Sequence, residues 1–197
     1  MHYHIVYLHG FLSSPHSAKV AATRAYFEGG GLASVSAPDL NVEPDAVLER
    51  IGRSLAGVRA PGVLIGSSLG GFFAAHMAAR LSLPCILINP CLSPWRFASR
   101  YLGEQPIYGG VGTFVVRQRY VERLHAMGEA PAFSSGRSTL VLLGTADEVL
   151  DWREAQSHFS ACEQIVVEGD DHRLSTYSHH LPQMARFIER ALGEHER

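Results

Sequence analysis

The hydrophobic positions of this chain fall into two alternating patterns. Short continuous apolar runs, of the kind a parallel sheet buries on both faces, occupy residues 4–8, 34–37, 63–65, 85–89, 140–144 and 164–167. Between most of them the apolar residues recur at helical spacing, over 17–28, 44–58, 69–81, 152–159 and finally 181–192. Ser14 before Pro15 reads as an N-cap followed by a first-turn proline, with Ser17 as the cap of a slightly later start. Strand and helix alternate, which predicts an α/β fold: a mostly parallel sheet of about six strands flanked by helices.

One stretch breaks the alternation. Residues 91–137 contain Pro94, Pro106 and Pro131, glycines at 109, 110 and 112, and a helical pattern near 115–127. A segment of that length is too long for a structureless loop and is expected to form a small cap inserted in a single domain spanning 1–197. No internal repeat or low-complexity tract is visible.

Composition changes this picture little, but it excludes several functions. The chain is 46% hydrophobic and 18% charged, with 17 basic and 19 acidic residues interspersed for a net charge of -2. Such a balance has no electrostatic footprint for phosphate backbones or anionic lipid, so no nucleic-acid or membrane partner is expected. The one window without Asp, Glu, Lys or Arg, residues 60–79, is interrupted by Gly66, Ser67, Ser68, Gly70, Gly71 and His76 and reads as strand, turn and buried helix. Cys85, Cys91 and Cys162 are odd in number and lack C-x-x-C spacing, and the first strand begins without a basic leader. A reducing, cytoplasmic compartment is the expectation; the oligomeric state is not legible. His2 and His4, and the pair His179 and His180, lack the Asp, Glu or Cys company diagnostic of a metal site.

The candidate chemistry begins at Ile65-Gly66-Ser67-Ser68-Leu69-Gly70-Gly71, a G-x-S-x-G at the junction of a predicted strand and a predicted helix. Spacing assigns the nucleophile to Ser68, since the central serine needs a tight turn that small neighbours at 66 and 70 allow. A serine hydroxyl needs a histidine base, itself oriented by a carboxylate. The α/β-hydrolase fold brings these in the order serine, acid, histidine, and two late apolar runs satisfy it: one ends at Asp147, the other leads to His172. Glu148, Asp151, Asp170 and Asp171 compete for the acid, although Asp151 before Trp152 reads as an N-cap. Oxyanion donors are expected from the Leu69 N–H at the helix start and the Phe11 N–H in the loop after the first strand, with His9 as a strap that shapes the loop. Of the cap aromatics Trp95, Phe97, Tyr101, Tyr108 and Phe114, the expected substrate pocket draws first on Trp95, Tyr101 and Tyr108.

Tyr7-Leu-His-Gly-Phe-Leu-Ser-Ser-Pro-His-Ser-Ala-Lys19, Gly66-Ser-Ser-Leu-Gly-Gly71, Ile88-Asn-Pro90, Tyr101-Leu-Gly103 and Gly144-Thr-Ala-Asp-Glu-Val-Leu-Asp151 together resemble the YqiA-like family of small bacterial esterases. The resemblance spans nearly the whole chain. It implies hydrolysis of carboxylic esters or thioesters with short to medium acyl groups, without cofactor or metal, through an acyl-enzyme on Ser68 with Asp147 and His172. The chain departs from the family pattern at Ile107-Tyr-Gly-Gly-Val-Gly-Thr-Phe114 and around Asp170, Asp171 and Arg173, so the resemblance extends to the triad but not to substrate preference. Two other functions share these residues: a non-catalytic protein that binds a ligand or partner in the same pocket, and a peptidase or amidase with the same triad.

Overall fold

A computed structural model describes residues 2–129 and 138–195. Six strands form one sheet: β1 (Tyr3–Leu8), β2 (Ala33–Ser36), β3 (Gly62–Ser67), β4 (Cys85–Ile88), β7 (Thr139–Gly144) and β8 (Glu163–Val167). They pair in the order β2-β1-β3-β4-β7-β8, and every pairing is parallel. The six apolar runs of the sequence lie on these strands, each displaced by at most a few residues.

Alternate residues of each strand face opposite layers. Ile5, Val63, Ile65, Ile86, Ile88, Leu140 and Leu142 pack beneath α1 (Ala18–Phe27) and the C-terminal α7 (Tyr177–His195). Val6, Leu8, Leu64, Leu87, Val141 and Leu143 pack against α2 (Pro44–Ala56), α3 (Leu69–Leu81) and α6 (Trp152–His158). Two apolar layers thus sandwich a sheet whose inner strands β3, β4 and β7 are hydrophobic on both faces. Helix α7 starts four residues before the position the hydrophobic spacing suggests, with Pro182 inside it. Proline there leaves the exposed Ser178 carbonyl without its helical partner, and water can take that place.

The described part of the cap holds the short α4 (Pro94–Ala98), a single 3₁₀ turn (Ser99–Tyr101), an antiparallel hairpin of β5 (Gly103–Pro106) and β6 (Thr113–Val116), and α5 (Gln118–Gly128). The predicted cap helix is present, but the hairpin replaces its first residues. Residues 130–137 of the expected cap lie outside the described residues. Phe114 packs on Tyr120 of α5 (ring centroids 5.3 Å apart), while Arg119 and Arg123 reach down to Glu43 and Asp45 at the start of α2. Tyr108 N–H donates to Leu12 O (2.6 Å) and Ser14 Oγ to Gly109 O (2.8 Å), so the hairpin tip is tied to the loop after β1. None of the described helices is long and apolar enough to cross a membrane.

Candidate active site

In open parallel sheets ligand sites gather beyond the carboxyl ends of the strands, and Ser68, Asp147 and His172 all sit there. Ser68 follows β3 and caps α3 with φ 55° and ψ -117°, a left-handed backbone that a serine adopts only when its surroundings enforce it. The enforcement is visible. Ser68 N–H donates to Ile88 O at the end of β4 (2.9 Å), and Ser68 O accepts from Gly71 and Cys91 N–H groups. A Cβ at Gly66 would strike the Gly70 carbonyl and the Ala74 side chain, and one at Gly70 would strike the Leu8 carbonyl, so the turn closes only with glycine at both places.

His172 brings its Nε2 within 3.1 Å of Ser68 Oγ and its Nδ1 within 2.8 Å of Asp147 Oδ2. Both side chains are largely withdrawn from solvent, Asp147 to 1% exposure and His172 to 17%. Asp147 Oδ1 accepts from the Val149 and Leu150 N–H groups, leaving Oδ2 free to face the imidazole. Burial alone would raise this carboxyl's pKa, but the hydrogen bonds from His172 and from the two backbone N–H groups overcome it and hold it below its ordinary value. An ionised Asp147 accepts the Nδ1 proton, which leaves the lone pair on Nε2 facing the serine.

The competing acids have other partners. Asp151 is the N-cap of α6, accepting from Arg153 N–H. Asp170 accepts from Asp171, Ser175 and Thr176, and Asp171 from Ser175, which together shape the turn after His172. Glu148 accepts from the His172 backbone N–H (3.0 Å), a support for the histidine that spacing did not suggest. Asn89 is a second support missed at the sequence level. Its Oδ1 accepts from Gly144 N–H (2.8 Å) and its Nδ2 donates to the Asp171 and His172 carbonyls (3.1 and 3.0 Å). It binds the ends of β4 and β7 to the histidine loop. Its appearance in the Ile88-Asn-Pro90 motif was the available signal, but a buried asparagine just past a strand has many possible partners.

The Phe11 and Leu69 N–H groups, the expected oxyanion donors, make no backbone hydrogen bond among the described residues, and both residues line the recess beside Ser68. His9 holds the Phe11 loop as expected of a strap: Nδ1 meets Gly10 O (2.9 Å) and Nε2 accepts from Leu40 N–H (3.0 Å).

Two spaces open at Ser68. One is a recess of about 10 Å³ walled by Phe11, Leu69, Pro94, Phe97, Leu124 and Leu150. Cys91 also lines it, and burial pushes this thiol up to about 12, far from a reactive thiolate. The other is a cleft of about 640 Å³ that includes His172. Of the expected pocket residues, Tyr101 and Tyr108 line the cleft. Trp95 does not: it packs against Phe72 and His125 between α3 and α5. The wall instead comes from Phe97, which meets Phe11 edge-to-face and Tyr101 at a tilt, with 5.6 and 4.9 Å between centroids. Positions 95 and 97 lie roughly 200° apart around a helix, so α4 can offer the cleft only one of them. Among the described residues no group of three or more His, Cys, Asp or Glu side chains is arranged to hold a metal ion.

Solved structures share this architecture. Est1E from Butyrivibrio proteoclasticus matches with a TM-score of 0.71 at 14% identity over 99% of this chain and 89% of its own. Alpha/beta hydrolase domain-containing protein 10 from mouse matches with 0.71 at 16% identity, over 95% and 90%. A pyrethroid hydrolase from Sphingobium faniae JZ-2 matches with 0.67 at 18% identity, over 96% and 98%. At such identities the likeness shows the fold, which is that of the α/β hydrolases. A family model matches residues 4–189, nearly the whole chain, and the protein therefore belongs to the uncharacterised protein family UPF0227, the YqiA-like family that its motifs resemble.

Proposed function

We propose that this protein is a serine hydrolase that cleaves carboxylic esters or thioesters with short acyl groups through an acyl-enzyme on Ser68. The observation that carries this reading is the unbroken chain Ser68 Oγ, His172 Nε2, His172 Nδ1, Asp147 Oδ2 at the junction of recess and cleft. In the first stage His172 takes the Ser68 proton as Oγ attacks the carbonyl, and Asp147 stabilises the imidazolium that forms. The Phe11 and Leu69 N–H groups hold the oxyanion, reinforced by the start of α3 behind Ser68. His172 then gives its proton to the leaving oxygen or sulfur, and in the second stage it activates the water that frees the acid and restores Ser68.

The small recess next to the oxyanion donors favours a short acyl chain over a longer one. Hydrolysis of para-nitrophenyl acetate by the wild type and by Ser68→Ala tests the assignment, with circular dichroism confirming that both fold. Loss of activity by several orders of magnitude in the variant is the expected result, as for other triad nucleophiles. Equal activity in the two, or none in either together with no labelling by a serine-directed phosphonate, would overturn it in favour of a binding protein on the same fold.

A further inference from the structure

The two spaces at Ser68 differ in chemistry, and the histidine decides which part of a substrate each receives. This step rests on the esterase reading above. His172 hands its proton to the leaving atom, so the alcohol or thiol lies on its side, in the wide cleft, while the carbonyl oxygen points toward the recess lined by Phe11 and Leu69. The recess is nearly all apolar. The cleft has serine hydroxyls at 13, 17, 175 and 178 and two fixed cations, Lys19 and Arg173, with no aspartate or glutamate among its lining residues.

That balance runs against the composition of a chain with 19 acidic and 17 basic residues. Lys19 is half-buried on the first turn of α1, and among the described residues no carboxylate lies within ion-pair distance of it. Arg173 is exposed at the rim and likewise has no ion-pair partner among the described residues. The nearest acids, Asp170 and Asp171, act on Lys19 from a distance while their oxygens are held by Ser175 and Thr176. Burial lowers the pKa of the Lys19 ammonium from its ordinary value, Asp171 works in the opposite direction, and Arg173 lowers it further. An ammonium taken partly out of water, with a second cation beside it and no carboxylate in ion-pair contact among the described residues, is placed to take up an anionic group that enters the cleft.

We propose that the cleft binds the leaving group of its substrate through a negative charge, engaged by Lys19 and Arg173, so that the enzyme acts on short-acyl esters or thioesters of an anionic alcohol or thiol. The charge can be a carboxylate or a phosphate, since both present oxygens to an ammonium and a guanidinium.

The test compares para-nitrophenyl acetate with its ring-carboxylated analogue, which shares the acyl group and differs in charge on the leaving group. The readout is the ratio of kcat/KM for the anionic ester to that for the neutral one. In Lys19→Gln/Arg173→Gln this ratio should fall by roughly ten- to a hundredfold, the scale of a lost charge-assisted contact. Arg173→Gln alone should lower it less, since an exposed cation is screened. Lys19→Arg, which keeps the charge, should preserve most of it, and this variant also guards against a misfolded Lys19→Gln. A ratio that the double variant leaves unchanged overturns the proposal. Repeating the comparison with a ring-phosphorylated ester separates a carboxylate preference from a phosphate preference. If the wild type turns over neither ester, the esterase reading fails separately. Calorimetric titration with the carboxylated nitrophenol then decides the subsite: binding that weakens in the double variant supports it, and equal or absent binding in both proteins overturns it.

Discussion

Along the carboxyl edge of the sheet, each loop is fastened from inside. Ser68 is pinned by the ends of β3 and β4, Asp147 by two backbone N–H groups of its own turn, and the His172 loop by Asn89, Glu148 and Asp170. In the cap above that edge, Val116, Tyr120, Leu124 and Met127 are buried in the core, but the hairpin tip is fastened from outside. Arg119 and Arg123 make exposed pairs with α2, and the hairpin tip hangs on two hydrogen bonds to the loop after β1. Tyr108 in that tip is 63% exposed and Val111 is 99% exposed. The Ser68, Asp147 and His172 side chains are therefore held by groups that cannot shift without opening the buried core, whereas the hairpin tip beside the cleft is held by contacts with little energy behind them.

Asp147→Asn should break the first region most severely. If the amide oxygen keeps the Val149 and Leu150 N–H groups, its NH₂ faces His172 Nδ1 and forces the proton onto Nε2, where it can no longer accept from Ser68. A loss of about ten-thousandfold in kcat is expected with little change in KM, on the scale known for this exchange in other triads. The same variant sharpens the electrostatic account. The folded-state pKa of Asp147 is depressed, so its carboxylate contributes stability above the unfolded value of about 3.9 and loses it as pH falls from there through the folded value. Urea unfolding at neutral pH and near pH 3 should show the wild type losing more stability on acidification than Asp147→Asn.

Asn89→Ala comes next. It removes three hydrogen bonds and leaves the buried Gly144 N–H without a partner, at a cost of about 2–3 kcal/mol in chemical denaturation. Because His172 loses a strap, kcat should fall by about tenfold or more while KM changes little. In the cap the expectation reverses. Tyr108→Ala should change stability by no more than about 0.5 kcal/mol, as surface substitutions do, yet move KM for aromatic esters severalfold. A stability loss as large as that of Asn89→Ala would erase the distinction between the two regions. The smallest effect on activity belongs to the core beneath both: among the described residues the buried Tyr3 hydroxyl has no hydrogen-bond partner, so Tyr3→Phe should leave kcat and KM unchanged and be neutral or slightly stabilising in thermal unfolding.

How far each region was legible follows from the length of its signals. The inner strands of the sheet were readable because strands buried on both faces are written as continuous apolar runs, the edge strands β2 and β8 because shorter apolar stretches keep the same spacing, and Ser68, Asp147 and His172 because each lies within five residues of a strand end. The β5–β6 hairpin was not. Its first strand, Gly-Glu-Gln-Pro, is exposed, carries no alternation, and includes a glycine and a proline.

By itself the sequence determined the parallel sheet, the strained turn at Ser68 and the chain order in which Ser68, Asp147 and His172 follow strand ends, because these depend on local chain chemistry: apolar runs, glycines where a Cβ would collide, and residues a short way beyond strand ends. Only the tertiary structure decided that Phe97 rather than Trp95 faces the cleft, that Asn89 and Glu148 hold the histidine loop, and that Lys19 and Arg173 share a space with Ser68. Those relations join residues that are distant in the chain or lie on one turn of a five-residue helix, where periodicity is too short to assign a face and only packing can choose.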